Sequence, residues 1–326
     1  MTQTLLEAIA QFSPALPLVV GFSGGADSTA LLVACRQKWP GQVGAIHIHH
    51  GLQAAADDFQ RHCERMCTQL NVPLVVCRVK ANADAGQSPE DAARRARYRA
   101  FAELAVEGWP AWDGKFDTHS RTLLLAQHAD DQVETVLLAL GRGAGLPGLS
   151  AMPRQWRRDG IEFHRPLLGV SASDIRNWLV LQRVDFIDDP SNGDLRFTRN
   201  QIRARIMPAL QAVFPSVRDT FARSATHAAQ AQALLRELGA VDLIETEDAS
   251  AKGLVIKKLQ ALGPARQANL LRHWLKTRFA TQASTAQLHE LLAQLAACTT
   301  RGHQINIKLG AGFAARQNEI LTWYNS

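Results

Sequence analysis

The sequence predicts an α/β protein: a doubly wound parallel sheet, followed by a helical linker and a second, smaller α/β domain. Three observations carry that expectation. Short apolar runs alternate with helically spaced segments from residue 16 to about residue 140. At Gly141 the texture changes to a stretch rich in Gly, Pro and Arg, which cannot continue the preceding helix. Beyond it, an Ala-rich stretch with few charges precedes a further mixture of helices and strands. At about 150 residues per domain, 326 residues suggest two domains. The expected division is a first domain at 1–215, a helical linker at 216–250 and a second domain at 251–326.

The elements follow in order. Leu16 to Phe22 is an apolar run, and Ser28 to Lys38 continues it with helical spacing. Val43 to His49 is the second run, followed by a helix from about Ala55 to Leu70. Val72 to Val79 is β-branched, and Pro89 to Glu107 carries Ala, Arg and aromatic residues at helical intervals. Arg121 to Gln127 is strand-like, and Asp130 to Leu140 restores the helical period. Such alternation indicates βαβ units on a sheet covered on both faces. Ligands in these sheets bind beyond the carboxyl ends of the strands, where the strand order reverses. Past the Arg-rich stretch, helices are expected at Ser171 to Gln182, Thr198 to Leu210 and Ser216 to Leu243. Two more at Pro264 to Phe279 and Ser284 to Ala297 precede strand-like runs at Gln304 to Leu309 and Phe313 to Trp323.

Composition narrows the function. Apolar residues make up 46% and charged residues 20%, which excludes a disordered, collagen-like or charge-block chain. The net charge of +6 comes from cations that are 28 Arg and only 8 Lys. Arg is the side chain suited to bidentate contacts with phosphate and carboxylate. Between Gly141 and Arg205 there are eleven Arg, no Lys and seven acidic residues, so most of the excess lies there. Trp156 sits among Arg154, Arg157 and Arg158, a pairing that suits phosphate contact and base stacking. No apolar stretch approaches the roughly 20 residues of a spanning helix. Five scattered cysteines and an N-terminus without a basic, cleavable leader fit a reducing cytoplasm and no membrane.

The sharpest local signal is VVGFSGGADSTALL, residues 19 to 32: an apolar strand, a Ser-Gly-Gly turn, then Asp27 and Ser28 opening a helix. Gly24 and Gly25 lack the Cβ atoms that would hold a phosphate away from backbone N–H groups. The helix N-terminus supplies unpaired donors and partial positive charge. Ser23 and Ser28 add hydroxyls, and Asp27 is placed to hold a nucleotide's metal ion. It is not a Walker A loop, because no Lys occurs before residue 38. The alternative is a plain strand-turn-helix corner, but two Ser and an Asp at the helix start exceed what a bend requires. Downstream, Asp130, Asp131 and Glu134 open one helix beside His128, with Asp131 and Glu134 three residues apart on one face. Helix capping explains one carboxylate well. A cluster of three suits a Mg-bound nucleotide or an ammonium group.

SGGADS resembles the pyrophosphate-binding loop of the ATP pyrophosphatases, whose fold is that of the adenine nucleotide alpha hydrolases. Four more segments narrow the likeness: HIHHGLQAAADDFQRHCE, EDAARRARYRAF, LLAQHADDQVETVLLALGRGAGLPGLSAM, and RPLL followed by DDPSNGDLRFTRNQIRARIMPAL. Together they resemble the tRNA(Ile)-lysidine synthetases in the expected order across most of residues 16 to 215. The resemblance implies that ATP, with Mg2+, adenylates the wobble cytidine of a CAU anticodon in tRNA(Ile). Free L-lysine then displaces AMP. It carries nucleotide binding onto Ser23, Gly24, Gly25, Ala26, Asp27, Ser28, His50, Arg94, Arg97 and His128. Catalysis falls to Asp27, Asp131, Glu134 and Arg199, with Asp27 and Asp131 as metal ligands. Arg199 and Asn200 match the family's Arg-Asn pair and are expected on the lysine or tRNA side. Glu134 is the candidate acceptor for the proton of the attacking amine. The chain resembles the short form, with one small tRNA-binding domain after the core. A homodimer stays open.

Two alternatives stand beside this reading. One is a tRNA thiolase of the same superfamily, and the other a non-catalytic tRNA-binding adaptor. Cys63 and Cys67 lie at i, i+4 near His62, with His47, His49 and His50 upstream. A structural zinc site prefers Cys-x-x-Cys spacing and four defined ligands, so buried helical cysteines are expected here.

Overall fold

The structure, a computed structural model, describes residues 3–49, 56–79, 89–107, 121–249, 253–300 and 302–325. His50 lies outside them. The chain divides into two compact units, Met1–His227 and Ala228–Ser326.

The first unit opens with helix α1 (Leu5–Gln11), started by a capping box in which Thr4 and Glu7 satisfy each other's backbone donors. Strand β1 (Leu18–Gly21) leads through the Ser-Gly-Gly turn into α2 (Ala26–Lys38), whose apolar run is buried almost throughout. Next come β2 (Val43–His49), α3 (Ala56–Leu70), β3 (Leu74–Arg78) and α4 (Pro89–Glu107). In α3 the buried Cys63, Met66 and Cys67, with the half-buried Leu70, fall at i, i+3, i+4 and i+7 and form its core stripe. Strand β4 (Thr122–Leu124) precedes α5 (Ala129–Gly141) and a single turn, α6 (Leu146–Leu149).

The Arg-rich stretch, to which the sequence assigns no element, is ordered. It forms a hairpin of β5 (Gln155–Arg158) and β6 (Ile161–His164). Asp159 and Gly160 both take positive φ, 51° and 76°, the two-residue turn that matches the twist of paired strands. Trp156 is committed to this fold: its ring stacks on Phe163 at 4.8 Å and carries the Arg165 guanidinium at 3.9 Å. Arg157 and Arg158 remain exposed beside it.

After α7 (Ala172–Gln182) the expected helix at 198 to 210 is interrupted. A short α8 (Thr198–Gln201) passes into a wider π turn at Ile202–Ile206, and α9 (Met207–Val213) resumes with Pro208 in its first turn. Proline lacks the N–H that would continue an α-helical ladder, and a wider turn absorbs the mismatch. The 30-residue α10 (Val217–Thr246) begins in this unit and ends in the second.

The first sheet has the order β3-β2-β1-β4-β6-β5, parallel except for the antiparallel edge strand β5. Strand order therefore reverses between β1 and β4. One face packs on α1, α2, α3 and α7 through Leu18, Val20, Leu31 and Leu179. The other packs on α4 through Tyr98 and Phe101, facing Val19, Leu123 and Phe163.

The second unit holds β7 (Gly253–Val255), α11 (Ile256–Gln260), α12 (Pro264–Phe279), α13 (Thr285–Ala297), β8 (Asn306–Leu309), β9 (Gly312–Gln317) and β10 (Ile320–Tyr324). Its sheet is antiparallel in the order β7-β10-β9-β8. The run expected as one strand from Phe313 to Trp323 is a hairpin that turns at Asn318, φ 56°. Trp274 is fully buried at the centre of this unit, edge-on to Phe279. Within it, Asp242 is also fully buried and is held by Arg266.

Asp130 binds three helices of the first unit together. Its carboxylate accepts from the Ala172 N–H at 2.9 Å and from Arg218 at 2.7 and 2.8 Å. Burial favours its neutral acid, but the Arg218 and Ala172 bonds outweigh it and hold the carboxyl below the ordinary aspartate range. A lowered folded value means stabilisation that is present above about pH 3.9 and fades as pH falls through the folded pKa. Asp130→Ala is expected to lower unfolding stability by about 3 kcal/mol at pH 7, measured by urea titration. That deficit should shrink progressively below pH 4.

Candidate functional site

Because strand order reverses between β1 and β4, the segments leaving their carboxyl ends diverge and open a crevice. A cavity of about 760 Å³ lies there, lined chiefly by 21–28, β2, 125–134, 187–192 and 199–211, with further residues from α3, α4 and α7.

The first wall is the loop after β1. Gly24 takes φ +84°, and a Cβ there would come within 3.2 Å of Cys63 Sγ and the His62 ring. Its carbonyl accepts from the Ile187 N–H at 3.0 Å. The two serines brace the turn from inside: their hydroxyls are 3.0 Å apart, and Ser28 Oγ donates to the Gly25 carbonyl at 3.1 Å. Ser23, Gly25, Ala26, Asp27 and Ser28 all line the cavity, at the N-terminus of α2. Gly25 is extended, and a Cβ there would meet nothing closer than 3.6 Å.

The second wall is α5. His128 is its N-cap and forms a capping box with Asp131: the His128 N–H donates to Asp131 Oδ2 at 3.0 Å, and its ring accepts from the Asp131 N–H. His128 thus both caps α5 and lines the cavity. His128 Nε2 also lies 3.6 Å from Asp27 Oδ2 and 3.4 Å from Asp131 Oδ2, so the two expected metal ligands converge on one ring nitrogen. Burial and the neighbouring Asp131 push the Asp27 carboxyl up, against the pull of His128.

The three acidic residues of α5 divide by role. Asp130 is the structural clamp described above. Glu134, fully buried, receives Arg203 through two bonds, 2.8 Å to Oε1 and 3.1 Å to Oε2. Arg199 adds Nε at 3.4 Å from Glu134 Oε2, and its Nη2 reaches Thr135 Oγ1 at 3.4 Å. Burial raises the Glu134 pKa above the ordinary glutamate range, with Arg203 and Arg199 opposing the rise.

Three expected residues, Gly24, Arg94 and Asn200, stand apart from the cavity wall. Arg97 lines it, but the Arg94 guanidinium lies over the Tyr98 ring at 5.5 Å. Asn200 is outside the lining and donates to the Asp194 carbonyl at 2.9 Å, shaping the turn before Arg199. His50 falls outside the described residues.

Other lining residues escaped the sequence reading of the site: Gln127, Arg176, Asp188, Asp189, Asn192 and Arg203. The signal for Arg203 was its position four residues after Arg199 on one helical face. Gln127 is oriented by Arg165, which is 3% exposed and donates to Gln127 Oε1 at 2.9 Å and to the Pro153 carbonyl at 2.8 Å. Burial lowers the Arg165 pKa to about 10, so it stays charged at neutral pH.

Among the described residues no group of three or more His, Cys, Asp or Glu is arranged to hold a metal ion. Cys63 and Cys67 are buried core residues, and burial pushes the Cys67 thiol to about 12. No described helix is long and apolar enough to cross a membrane.

The PP-loop domain family matches residues 1–210, and the TilS substrate binding domain family matches residues 254–321. A tRNA(Ile)-lysidine synthase from Polaromonas naphthalenivorans is 57% identical over 93% of this chain and 88% of its own length. One from Pseudomonas aeruginosa is 43% identical over 83% of this chain, which spans 61% of that relative. One from Shigella flexneri is 39% identical over 95% of this chain and 69% of its own length. In fold, the chain resembles the U34-tRNA thiolase NcsA from Methanococcus maripaludis, with a TM-score of 0.56 at 12% identity, covering 68% of this chain and 77% of that one. With both of its parts matched in order, the chain belongs to the tRNA(Ile)-lysidine synthase family.

Proposed function

We propose that this protein is an AMP-forming ligase that joins L-lysine to C2 of the wobble cytidine in the CAU anticodon of tRNA(Ile). In the first step the C2 oxygen attacks the α-phosphorus of ATP, and the bond to the β-phosphate breaks to release diphosphate. In the second step a lysine amine attacks C2, the C2–O bond breaks and AMP leaves. One observation carries the reading. The phosphate loop after β1 and the carboxylates of α5 after β4 line one cavity, together with Arg199 and Arg203.

The residues take roles that follow from their surroundings. Ser23 through Ser28 cradle phosphate oxygens at the N-terminus of α2. Arg97 faces the nucleotide from α4, and His128 lies between Asp27 and Asp131. Mg2+ takes few protein carboxylates and keeps phosphate oxygens and water as its other ligands. The Asp27–Asp131 pair, converging on His128, fits that donor set. When bound there, the ion neutralises developing phosphate charge. Glu134, raised above the ordinary glutamate range, accepts the proton that the attacking amine loses. Arg199, beside Glu134, faces the lysine.

We assign residues 1–215 to the adenylating core, 216–250 to the linker and 251–326 to tRNA binding. The exposed Arg157 and Arg158 suit contact with tRNA phosphates. A reducing cytoplasm suits five cysteines scattered along the chain. The thiolase alternative gains nothing from Cys67, because a thiol with a pKa near 12 is not a nucleophile at neutral pH.

The decisive assay supplies tRNA(Ile) transcript bearing CAU, ATP and labelled L-lysine. Label is expected in the tRNA with one AMP per lysine, and its absence would overturn the assignment. Glu134→Gln should slow lysine transfer by about 100-fold or more while diphosphate release continues. Full transfer by that variant would remove Glu134 as the base. The two glycines should separate fold from binding. Gly24→Ala is expected to lower stability by about 1–2 kcal/mol, since it forces a strained φ against Cys63. Gly25→Ala should melt like the wild type yet weaken ATP binding at least tenfold, because its methyl takes space that a phosphate would occupy.

A further inference from the structure

A carboxylate that lines a cavity and is otherwise enclosed, as Glu134 is, forms a receptor for a cation. Here the protein supplies its own. Arg203 Nε and Nη2 engage both oxygens of Glu134 at 2.8 and 3.1 Å, and Nη2 lies 3.6 Å from Asp131 Oδ1. With Arg203 bonded to both Glu134 oxygens and Arg199 Nε 3.4 Å from Oε2, an incoming ammonium competes with the Arg203 guanidinium for that carboxylate.

Arg203 is built to leave. Its side chain is 42% exposed while Glu134 is fully enclosed, so the cation is the mobile member of the pair. It projects from the π turn at Ile202–Ile206, between two short helices, rather than from a continuous α-helix. Such wide turns interrupt regular hydrogen bonding and concentrate at functional sites. A second anionic station lies nearby, because Asp27 on the phosphate loop senses the Arg203 charge and both line one cavity. A nucleotide phosphate bound at that loop competes for the guanidinium, as charge-assisted pairing of Arg with phosphate is strong and bidentate.

We propose that Arg203 is an internal stand-in for the substrate's ammonium, occupying the subsite at Glu134 until nucleotide phosphate draws it away. Lysine binding then follows nucleotide binding, which keeps the amine out until there is an adenylate to attack. This ordering rests on the lysine-ligating reading above. An ion pair that only fastened the 202–206 turn to α5 would leave lysine affinity unchanged or weakened when removed.

The test titrates L-lysine into the full-length protein by calorimetry, with and without ATP and magnesium, and without tRNA. For the wild type, ATP is expected to tighten lysine binding at least tenfold. Arg203→Gln should bind lysine at least tenfold more tightly than the wild type when ATP is absent, and ATP should add less than threefold. A folded Arg203→Gln protein that binds lysine no more tightly than the wild type without ATP would overturn the proposal. If that variant does not fold, the wild type decides: lysine affinity that is indifferent to ATP overturns it, and a tenfold gain supports it. Failure of the wild type to place labelled lysine into tRNA would identify the underlying reading as the fault, and the proposal would fall with it.

Discussion

The crevice between β1 and β4 is the constraint from which the site follows. Parallel strands send their following segments out at one end of the sheet, and reversal of strand order forces two neighbouring connections apart. The loop after β1 brings backbone donors to one side of the gap, and the start of α5 brings carboxylates to the other. Neither segment alone distinguishes a bend or a helix cap from a site. Together they line a single cavity.

Charge inside that crevice is arranged in pairs. A fully buried carboxylate such as Glu134 is costly unless cations accompany it, and Arg203 and Arg199 do so. Asp130, one residue before Asp131, is spent on Arg218 and the Ala172 amide, which fixes the helix that presents its neighbours. Rigid and exchangeable pairs therefore alternate along one helix. The phosphate loop is braced in a comparable way, by its own serines and by the Ile187 amide from a distant segment.

Much of this was legible in the order of residues. The alternation of apolar runs located β1, β2 and β3, and the bounds of α4 and α12 coincide with those read from the sequence. The phosphate loop and the α5 carboxylates were visible because their chemistry is local in sequence. Arg203 and the Asp188–Asn192 segment were not, because their places in the cavity depend on contacts distant in sequence, as the Arg203–Glu134 pair, 69 residues apart, shows. The β5–β6 hairpin was missed for a different reason. Its Asp-Gly turn is a strong local signal, but the surrounding Gly, Pro and Arg content hides the strand pattern on either side. The π turn depends on how the chain accommodates Pro208, which helical periodicity alone does not reveal.

The hairpin adds a property that concerns solubility rather than catalysis. Strand β5 is an edge of the larger sheet, and an open edge presents unpaired backbone groups to any other extended chain. Arg157 and Arg158 stand on that edge, with Arg154 just before it. Charged side chains along an exposed strand discourage a second strand from adding, since pairing would bring their like charges together. The cations that suit an RNA backbone therefore also guard the sheet against self-association, so neutralising them for the sake of tighter control over RNA contact would expose an aggregation-prone border.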